Sequence, residues 1–479
     1  MLNPRDPAAP FGRAELASLF AVLAGRRGVV LAVSGGPDST ALLVLFDRWR
    51  QNVRASCAGA APAGPPPAVV ATVDHRLRPA AAAEAAAVAE LAGRLGLAHR
   101  TLVWDGAKPA TDLQAAARAA RYRLLASLAA ELDFDAVVTA HSRDDQAETL
   151  LLRLAHGSGV DGLAAMAPAR PLADGVDLVR PLLDVPRGRL GACLAAAGVA
   201  AADDPSNADP RFARVRLRRL MPGLAAEGMT TERLAAVARR AGRAAAALAA
   251  TADALATTAL AVHPGGFARL DAAALAAAPE EIALRLLGRA VAVAGAPPTY
   301  GPRLERLEAA LAAVLAGERV RRTLAGAVLD RRGDALWVYR EAGREAAEDL
   351  TLAPGESGLW AGRFRAAVTA GAERPVRIAA LGPAARRLLD VEPRREADPG
   401  PDLQGSEDAA PGSRSPNARL PGAPWTGDRL PGATRVPAAA LARVPAAFVA
   451  DRPVAVPAFG LYASPAWRQV VSIAPTGAA

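Results

Sequence analysis

Cysteine is scarce in this chain of 479 residues, which contains only Cys57 and Cys193, far apart and in no Cys-x-x-Cys pair. This scarcity argues against a disulfide framework and against a cysteine-ligated metal cluster. Lysine is scarcer still, because Lys108 is the only one and arginine carries almost all of the positive charge. Any lysine-type amine chemistry would therefore require Lys108 or an amine from a substrate.

Aromatic residues make up 4% of the chain, whereas hydrophobic residues, mostly alanine and leucine, make up 52%. This composition is typical of helix-rich cores, and the length predicts roughly three domains. No run of about 20 uncharged apolar residues suggests a membrane span. The apolar patch at 16–23 follows charged residues and predicts an amphipathic helix rather than a signal peptide. We therefore expect a cytoplasmic protein with no membrane association.

Positive charge is in excess, with a formal net charge of +9. Such an imbalance suits a polyanionic partner. The densest stretch is 211–219, which holds five arginines and no acid. This density favours a phosphate-rich partner over an internal network of ion pairs, with a solvated basic helix as the alternative.

Strand-like and helix-like segments alternate up to about residue 160. Strands are predicted at 29–33, 68–73, 100–104 and 136–140, and helices between them include 80–95 and 113–132. The alternation predicts an α/β fold in which helices cover both faces of a parallel sheet. Ligands of such folds gather at the carboxyl ends of the strands.

The sequence Ser-Gly-Gly-Pro-Asp-Ser at 34–39 follows the first predicted strand and opens a helix. Two adjacent glycines let the backbone approach an anion, and the hydroxyl and N–H groups at the helix start would bind it. The loop lacks both the ending of a Walker loop and the GxGxxG of a dinucleotide fold. A carboxylate at Asp38 favours a divalent cation between it and the phosphate oxygens. An ordinary turn capped by Ser39 is the alternative.

The fourth predicted strand runs into an acidic segment, 141–149. If a helix begins there, Asp144 and Glu148 share a face, while His141 and Asp145 lie near the strand end, close to the first loop. Asp144 is interpreted as a partner of the helix dipole. Asp145 is predicted to hold Mg²⁺ together with Asp38, because Mg²⁺ takes oxygen ligands. His141 is a candidate for proton transfer, with a structural histidine as the alternative.

Three further motifs allow two interpretations each. Val-Asp-His-Arg-Leu-Arg at 73–78 could bind a nucleotide or nucleic acid, or cap the next helix. Arg118 and Arg121, three apart on a predicted helix, could contact phosphate or adenine, or be solvated. The glycine-rich turn at 156–163 would allow close approach of a substrate, or end the acidic helix.

The remainder of the chain predicts two further domains. Residues 226–345 show mainly helical spacing, and 346–479 is a short-stranded, proline-rich α+β segment. Within the latter, 394–432 combines Pro, Gly, Ser, Asp and Arg with few large apolar residues, which predicts a disordered insertion. A small hairpin is predicted near the end of the helical segment, with strands at 323–329 and 335–338.

The loop at 34–39 resembles that of the PP-loop ATP-pyrophosphatase superfamily, whose members cleave ATP to AMP and pyrophosphate. Taken together, the motifs closely resemble the tRNA(Ile)-lysidine synthetase family. The matching segments, in order, are SGGPDS at 34–39, VDHRLR at 73–78, ARAARY at 117–122, AHSRDDQAET at 140–149, HGSGVDGLAAM at 156–166, RPLL at 180–183 and DDPSNADPRFARVRLR at 203–218. They cover the first 220 residues or so, and the match is weakest at the end of the chain.

The resemblance implies ATP-dependent ligation of L-lysine to C2 of the wobble cytidine of the CAU-anticodon isoleucine tRNA. An adenylated tRNA would be the intermediate, and AMP and pyrophosphate would be released. Residues 1–225 would form the catalytic domain, with an adenine nucleotide alpha-hydrolase-like fold, and 226–345 would bind tRNA. A homodimer is left open.

The resemblance also implies roles for individual residues. ATP would be bound by the loop, through Ser34, Gly35, Gly36, Pro37, Asp38 and Ser39. Asp38 and Asp145 would hold Mg²⁺ and act in catalysis with His141. Arg118 or Arg121 would contact ATP, and Arg214 or Arg216 would support adenylation. The two arginines of each pair stay candidates. The spacing over 210–216 does not align uniquely with the family's usual Arg-Asn-Arg, and Val215 replaces the asparagine.

Other functions are less well supported by the sequence. A tRNA thiolase of the same superfamily would normally need cysteine chemistry, which the absence of Cys-x-x-Cys disfavours. A small-molecule synthetase, such as an NAD or GMP synthetase, would not obviously require the arginine run or the added domains. A non-enzymatic RNA-binding protein would leave Asp38 and Asp145 unexplained.

Overall fold

The computed structural model describes residues 10–56, 64–77, 80–106, 108–109, 111–202, 209–295, 302–317, 319–341, 348–382, 436–449, 452–459, 461–462 and 467–476. The chain divides into two compact units, Met1–Ala245 and Ala246–Ala479. The predicted insertion at 394–432 lies outside the described residues, as do 78–79 and 203–208 of the sequence motifs.

The first unit is built on a mostly parallel sheet. Its described strands are β1 (Val29–Ala32), β2 (Ala68–Asp74), β3 (Ala98–Val103), β4 (Ala136–Val138), β5 (Ala169–Ala173) and β6 (Val176–Val179). Their order is β3-β2-β1-β4-β6-β5, and only the β5–β6 pair is antiparallel. The central strand β1 is buried throughout, as its continuous apolar run predicts.

Helices cover both faces of this sheet. The described helices of this part of the chain are α1 (Arg13–Phe20), α2 (Pro37–Ser56), α3 (Ala81–Arg94), α4 (Leu113–Glu131), α5 (Arg143–Ala155), α6 (Val160–Leu163), α7 (Arg187–Ala197), α8 (Ala213–Ala226) and α9 (Thr231–Ala259), which continues past residue 245. Successive strand side chains point to opposite faces, so Val29 and Leu31 pack into one core with α1, α2, α3 and α7. Val30 and Ala32 pack into the other, against Leu125 of α4. The predicted α/β fold is confirmed.

The second unit begins with helices packed on an antiparallel sheet. Its elements are β7 (Leu260–His263), β8 (Phe267–Asp271), α10 (Ala272–Ala277), α11 (Glu280–Ala294), α12 (Leu304–Ala316), β9 (Arg319–Leu324), β10 (Ala327–Arg332) and β11 (Ala335–Arg340). The strand order is β7-β8-β11-β10-β9. Leu286 and Leu287 of α11 and Val314 of α12 are fully buried against this sheet.

Smaller sheets complete the second unit. Their elements are β12 (Leu350–Leu352), β13 (Ser357–Trp360), β14 (Phe364–Val368), β15 (Val376–Ala380), α13 (Ala438–Leu441), β16 (Pro445–Val449), β17 (Arg452–Val456), β18 (Leu461–Tyr462), α14 (Trp467–Val470) and β19 (Val471–Pro475). The strands form the orders β12-β15-β16-β17-β18 and β13-β14-β19. The expected boundaries after 225 and 345 stay a prediction.

The predicted hairpin is correct in its turn but wrong in its first strand. Arg332 pairs with Ala335, so the turn falls where the sequence placed it. The expected strand at 323–329 is interrupted, because Ala325 and Gly326 have φ of +50° and +78° and form the turn between β9 and β10. Gly326 is a turn signal that the apolar run concealed.

Candidate active site

The loop Ser34–Ser39, between β1 and α2, is held in shape by its own hydroxyl groups. Ser39 Oγ accepts a hydrogen bond from the backbone N of Ser34 at 3.1 Å and donates one to the carbonyl of Gly36 at 2.9 Å. Gly35 has φ of +88°, a region that favours glycine. Because α2 begins within the loop, N–H groups of its first turn lack intrahelical partners and can bind an anion.

Asp38 lies in the first turn of α2, with its side chain 22% exposed. Its Oδ2 accepts a hydrogen bond from Nε of Arg187 at 3.0 Å. Its Oδ1 is buried and has no hydrogen-bond partner in the described part of the chain. Burial raises the pKa of Asp38, and Arg187 opposes that rise. A buried carboxylate oxygen without a partner is unfavourable, so Asp38 is suited to binding a cation.

Asp145 is fixed at the start of α5 by a capping box. The backbone N and the hydroxyl of Ser142 donate to Asp145 Oδ2 at 2.8 and 3.0 Å. Burial alone would raise the pKa of Asp145, but Arg187 and Ser142 hold it below its ordinary value. The neighbouring Asp144 accepts a hydrogen bond from the backbone N of Arg187 at 2.8 Å and thereby caps α7. Asp145 thus carries its charge into the site, while Asp144 supports a helix.

His141 follows β4 and lies close to Asp145. Its Nδ1 is 2.9 Å from the hydroxyl of Thr139. Burial is the largest of the effects that lower the pKa of His141, to about 3. The imidazole is therefore neutral at neutral pH, which suits it to hydrogen bonding and not to a role as a cationic acid.

Arg187 and Glu148 are central to this site, and the sequence analysis assigned neither a role. The guanidinium of Arg187 contacts Asp38, Asp145 Oδ1 at 2.7 Å and Glu148 Oε1 at 3.2 Å. Glu148 is 2% exposed, because α5 turns it inward. One guanidinium on α7 thereby joins carboxylates from α2 and α5.

The arginine-rich helix α8 also contributes to the site. Arg214 donates to Glu148 at 3.2 Å and to the hydroxyl of Thr149 at 3.1 Å. Arg218, one turn further on, donates to Glu148 at 2.6 Å and lies 4.0 Å from Asp145. Arg216 instead bonds backbone carbonyls near the start of α8. The structure therefore places Arg214 and Arg218 at the site, and turns Arg216 away.

The two candidate arginines of α4 have different surroundings. Arg121 lines the cavities beside the loop, and burial lowers its pKa. Arg118 is exposed, with its guanidinium 5.0 Å from the centre of the Tyr122 ring. Arg121 is therefore the better placed of the two to meet a bound ligand.

Two adjoining cavities open at the carboxyl ends of β1, β2 and β4, where ligands of such folds bind. The smaller, of about 450 Å³, is lined by residues that include Ser34, Asp38, His141, Asp145, Arg187 and Arg218. The larger, of about 920 Å³, is lined by residues that include Val33, Thr72, His75, Glu84, Arg121 and Phe212. Together they offer a charged chamber beside a more apolar one.

The glycine-rich turn ends α5, which favours the structural interpretation of that motif. His156 is the C-cap residue of α5, and Gly157 follows it with φ of +65°. Nearby, Gln146 exchanges two hydrogen bonds with the backbone of Met166, at 2.8 and 2.9 Å. This segment therefore braces α5 and with it the acidic residues.

Within the described segments, no group of three or more His, Cys, Asp and Glu side chains is arranged to hold a metal ion. Asp38 and Asp145 supply two carboxylates to the site. Two protein ligands suit Mg²⁺, because the ion usually keeps several waters and also binds substrate phosphates. Among the helices of the described segments, none has the length and apolar character needed to cross a membrane.

Comparison with known proteins agrees with this geometry. The PP-loop domain family matches residues 12–224. Fold and site together therefore define a PP-loop ATP-binding protein.

Relatives narrow the assignment. The tRNA(Ile)-lysidine synthase of Methylobacterium nodulans is 55% identical over 67% of this chain and 92% of its own length. The tRNA(Ile)-lysidine synthase of Rhodopseudomonas palustris is 52% identical over 67% of this chain and 93% of its own length. The tRNA(Ile)-lysidine synthase of Ruegeria pomeroyi is 43% identical over 71% of this chain and 76% of its own length. The chain belongs to the tRNA(Ile)-lysidine synthase family.

Proposed function

We propose that this chain uses ATP to ligate L-lysine to C2 of the wobble cytidine of the CAU-anticodon isoleucine tRNA. Its relatives give the reaction class, a carbon–nitrogen ligase that modifies tRNA. The observation that carries the assignment to this cavity is the convergence of Asp38 and Asp145 beside the anion-binding loop. A tRNA substrate also favours a cytoplasmic location.

The two cavities would bind different parts of ATP. The phosphates would lie on the loop in the smaller cavity, bound by Ser34, Gly35, Gly36, Pro37, Asp38 and Ser39. The nucleoside would extend into the larger, more apolar cavity, near Thr72 and His75. Arg121 lines both cavities and would contact the nucleotide where they meet.

Asp38 and Asp145 fit a magnesium ion. The fit rests on the buried, unpartnered Oδ1 of Asp38 and on the lowered pKa of Asp145, which keeps that carboxylate ionised. When bound, Mg²⁺ would neutralise phosphate charge while the bond between the α- and β-phosphates is broken.

The reaction requires two steps. The C2 oxygen of cytidine is a poor leaving group and AMP is a good one, so adenylation of that oxygen precedes attack by the lysine amine. Arg218 lines the charged chamber, and Arg214 donates to the same Glu148 carboxylate; both would stabilise negative charge as it develops there. His141 stays neutral and would orient a reacting group through a hydrogen bond.

The second unit, which holds most of the expected domain 226–345 and all of 346–479, is proposed to bind the tRNA. Its strand β9 lies at the edge of a sheet and exposes Arg319, Arg321 and Arg322. Arg319 and Arg321 also line a cavity of about 460 Å³ with Arg331 and Arg332. Such a cluster of guanidinium groups suits RNA phosphates. A homodimer stays a prediction that light scattering can test.

A labelling experiment tests the function. Purified protein is incubated with ATP, radiolabelled L-lysine and the CAU-anticodon tRNA, and label in the tRNA is counted. Label should enter this tRNA and not a matched tRNA in which uridine replaces the wobble cytidine. The assignment would be wrong if no label entered the CAU tRNA while Asp38→Ala behaved like the wild type in releasing AMP.

A further inference from the structure

The guanidinium of Arg187 occupies the space between the two carboxylates assigned to the metal. Its Nε is 3.0 Å from Asp38 Oδ2, and its Nη2 is 2.7 Å from Asp145 Oδ1. Its remaining nitrogen, Nη1, is 3.2 Å from Glu148 Oε1. All three carboxylates are largely shielded from water, with side chains 22%, 14% and 2% exposed. Arg187 is therefore in contact with all three carboxylates, whereas Arg214 and Arg218 bond to Glu148.

The oxygens of Asp145 are not equally available to an ion. Oδ2 already accepts both hydrogen bonds of the capping box from Ser142. Oδ1 is thus the oxygen that can ligate a cation, and it is the one that Arg187 holds. Asp38 differs, because its Oδ1 has no partner among the described residues. A cation held by Asp38 and Asp145 would therefore compete with Arg187 for Asp145.

We propose that Arg187 acts as a built-in counter-ion that keeps free Mg²⁺ out of the nucleotide-free site and gives way when the ion arrives with ATP. A guanidinium and a metal ion at the same oxygen repel each other at short range, so the two compete for it. The phosphates of ATP remove this conflict, because they offer the guanidinium a new anionic partner. The inference rests on the proposed function, since that function assigns the ion to Asp38 and Asp145.

The arrangement predicts strong coupling between metal and nucleotide. In the wild type, ATP should raise the affinity for the metal, and the metal should raise the affinity for ATP by the same factor. Removing the guanidinium should strengthen metal binding without nucleotide and thereby weaken the coupling. Arg187 is in this sense a positioning residue that controls when the carboxylates become available.

The test measures binding of Mn²⁺, an EPR-visible substitute for Mg²⁺, to the full-length protein without nucleotide. Arg187→Gln should bind Mn²⁺ about tenfold or more tightly than the wild type, which corresponds to the loss of one competing ion pair. Adding Asp38→Asn to that variant should abolish the gain. Arg143→Gln is the matched control, because Arg143 is a half-buried arginine of α5 whose guanidinium donates to the backbone carbonyl of Asp184 and, among the described residues, to no carboxylate.

Equal Mn²⁺ affinities for wild type and Arg187→Gln would overturn the proposal. A thermal melt checks folding, and Arg187→Lys keeps the test decisive if the glutamine variant does not fold. Lysine keeps the charge but lacks the planar guanidinium fork that contacts all three carboxylates, so a smaller gain is expected, and no gain overturns the proposal.

A second arm separates this inference from the proposed function. It repeats the Mn²⁺ titration with α,β-methylene ATP, which cannot be cut between the α- and β-phosphates. If Asp38→Asn left this binding unchanged, the metal assignment itself would be wrong. If Asp38→Asn weakened it while Arg187→Gln still matched the wild type without nucleotide, only the role of Arg187 would be lost.

Discussion

Replacing Glu148 with glutamine should destabilise the first unit. The carboxylate of Glu148 accepts hydrogen bonds from Arg187, Arg214 and Arg218, at distances between 2.6 and 3.3 Å. Glutamine keeps the shape of the side chain but loses its charge. Its amide NH₂ group would also face a guanidinium group, with which it cannot form a hydrogen bond.

The expected loss of stability depends on how deeply Glu148 and its arginine partners are buried. Glu148 is 2% exposed, whereas its three arginines are 28%, 39% and 34% exposed. Breaking a fully buried ion pair costs about 3–5 kcal/mol. Partial exposure of the arginines reduces that figure, so we expect a loss of about 2–3 kcal/mol in the free energy of unfolding. For a unit of this size the midpoint should fall by roughly 5–10 °C.

Differential scanning calorimetry provides the measurement. The matched control is Glu90→Gln, because Glu90 is 73% exposed and its pairing with Arg94, at 3.3 Å, is confined to the surface of α3. Such a pair contributes about 0.5 kcal/mol or less. If Glu148→Gln and Glu90→Gln had the same midpoint, the carboxylate would add no net stability and the reasoning would be refuted.

Three further predictions concern charge. Asp38→Asn should lower AMP release at least about 100-fold without lowering the thermal midpoint, because burial disfavours the charge it removes; retained activity would contradict this. Burial lowers the pKa of His263 to about 4, so the unfolded chain takes up the proton first and the second unit should lose roughly 3 kcal/mol between pH 6.5 and pH 4. Calorimetry against pH should show this loss reduced in His263→Phe and unchanged in His156→Gln, a change at an exposed histidine. Charge reversal at Arg319 and Arg321 should raise the KM for tRNA about tenfold and reduce its salt dependence, with the KM for ATP unchanged.

The fold of the first unit could be predicted because its information is local. The apolar run of β1 indicated a strand buried on both faces, and parallel strands place their carboxyl ends at one edge. That geometry was enough to bring Asp38 and Asp145 together, although they are far apart in the sequence. The prediction from sequence was wrong where a single short turn determines the boundary of a strand. At Ala325 and Gly326, left-handed backbone conformations divide what the sequence indicated as one continuous strand.

The orientation of individual arginines could not be predicted in this way. Arg214, Arg216 and Arg218 have similar sequence surroundings, and helical spacing alone puts Arg214 and Arg218 on one face. Which face meets the site depends on the packing of α8 against α5 and on the buried Glu148. The candidate pair of Arg214 and Arg216 therefore contained one arginine that the structure turns towards backbone carbonyls.

Arg187 nevertheless had a signal in the sequence. It is the first residue of α7, where the helix dipole disfavours a cation. A cation at the start of a helix is tolerated where neighbouring groups compensate for its unfavourable interaction with the dipole, and such an exception often marks a functional site. Here the offset comes from carboxylates of α2 and α5, while Asp144 takes the favourable place of an anion at the start of α7. An arginine that opens a helix just after Arg-Pro-Leu-Leu thus predicts nearby acids, and the structure places Asp38, Asp145 and Glu148 in contact with it.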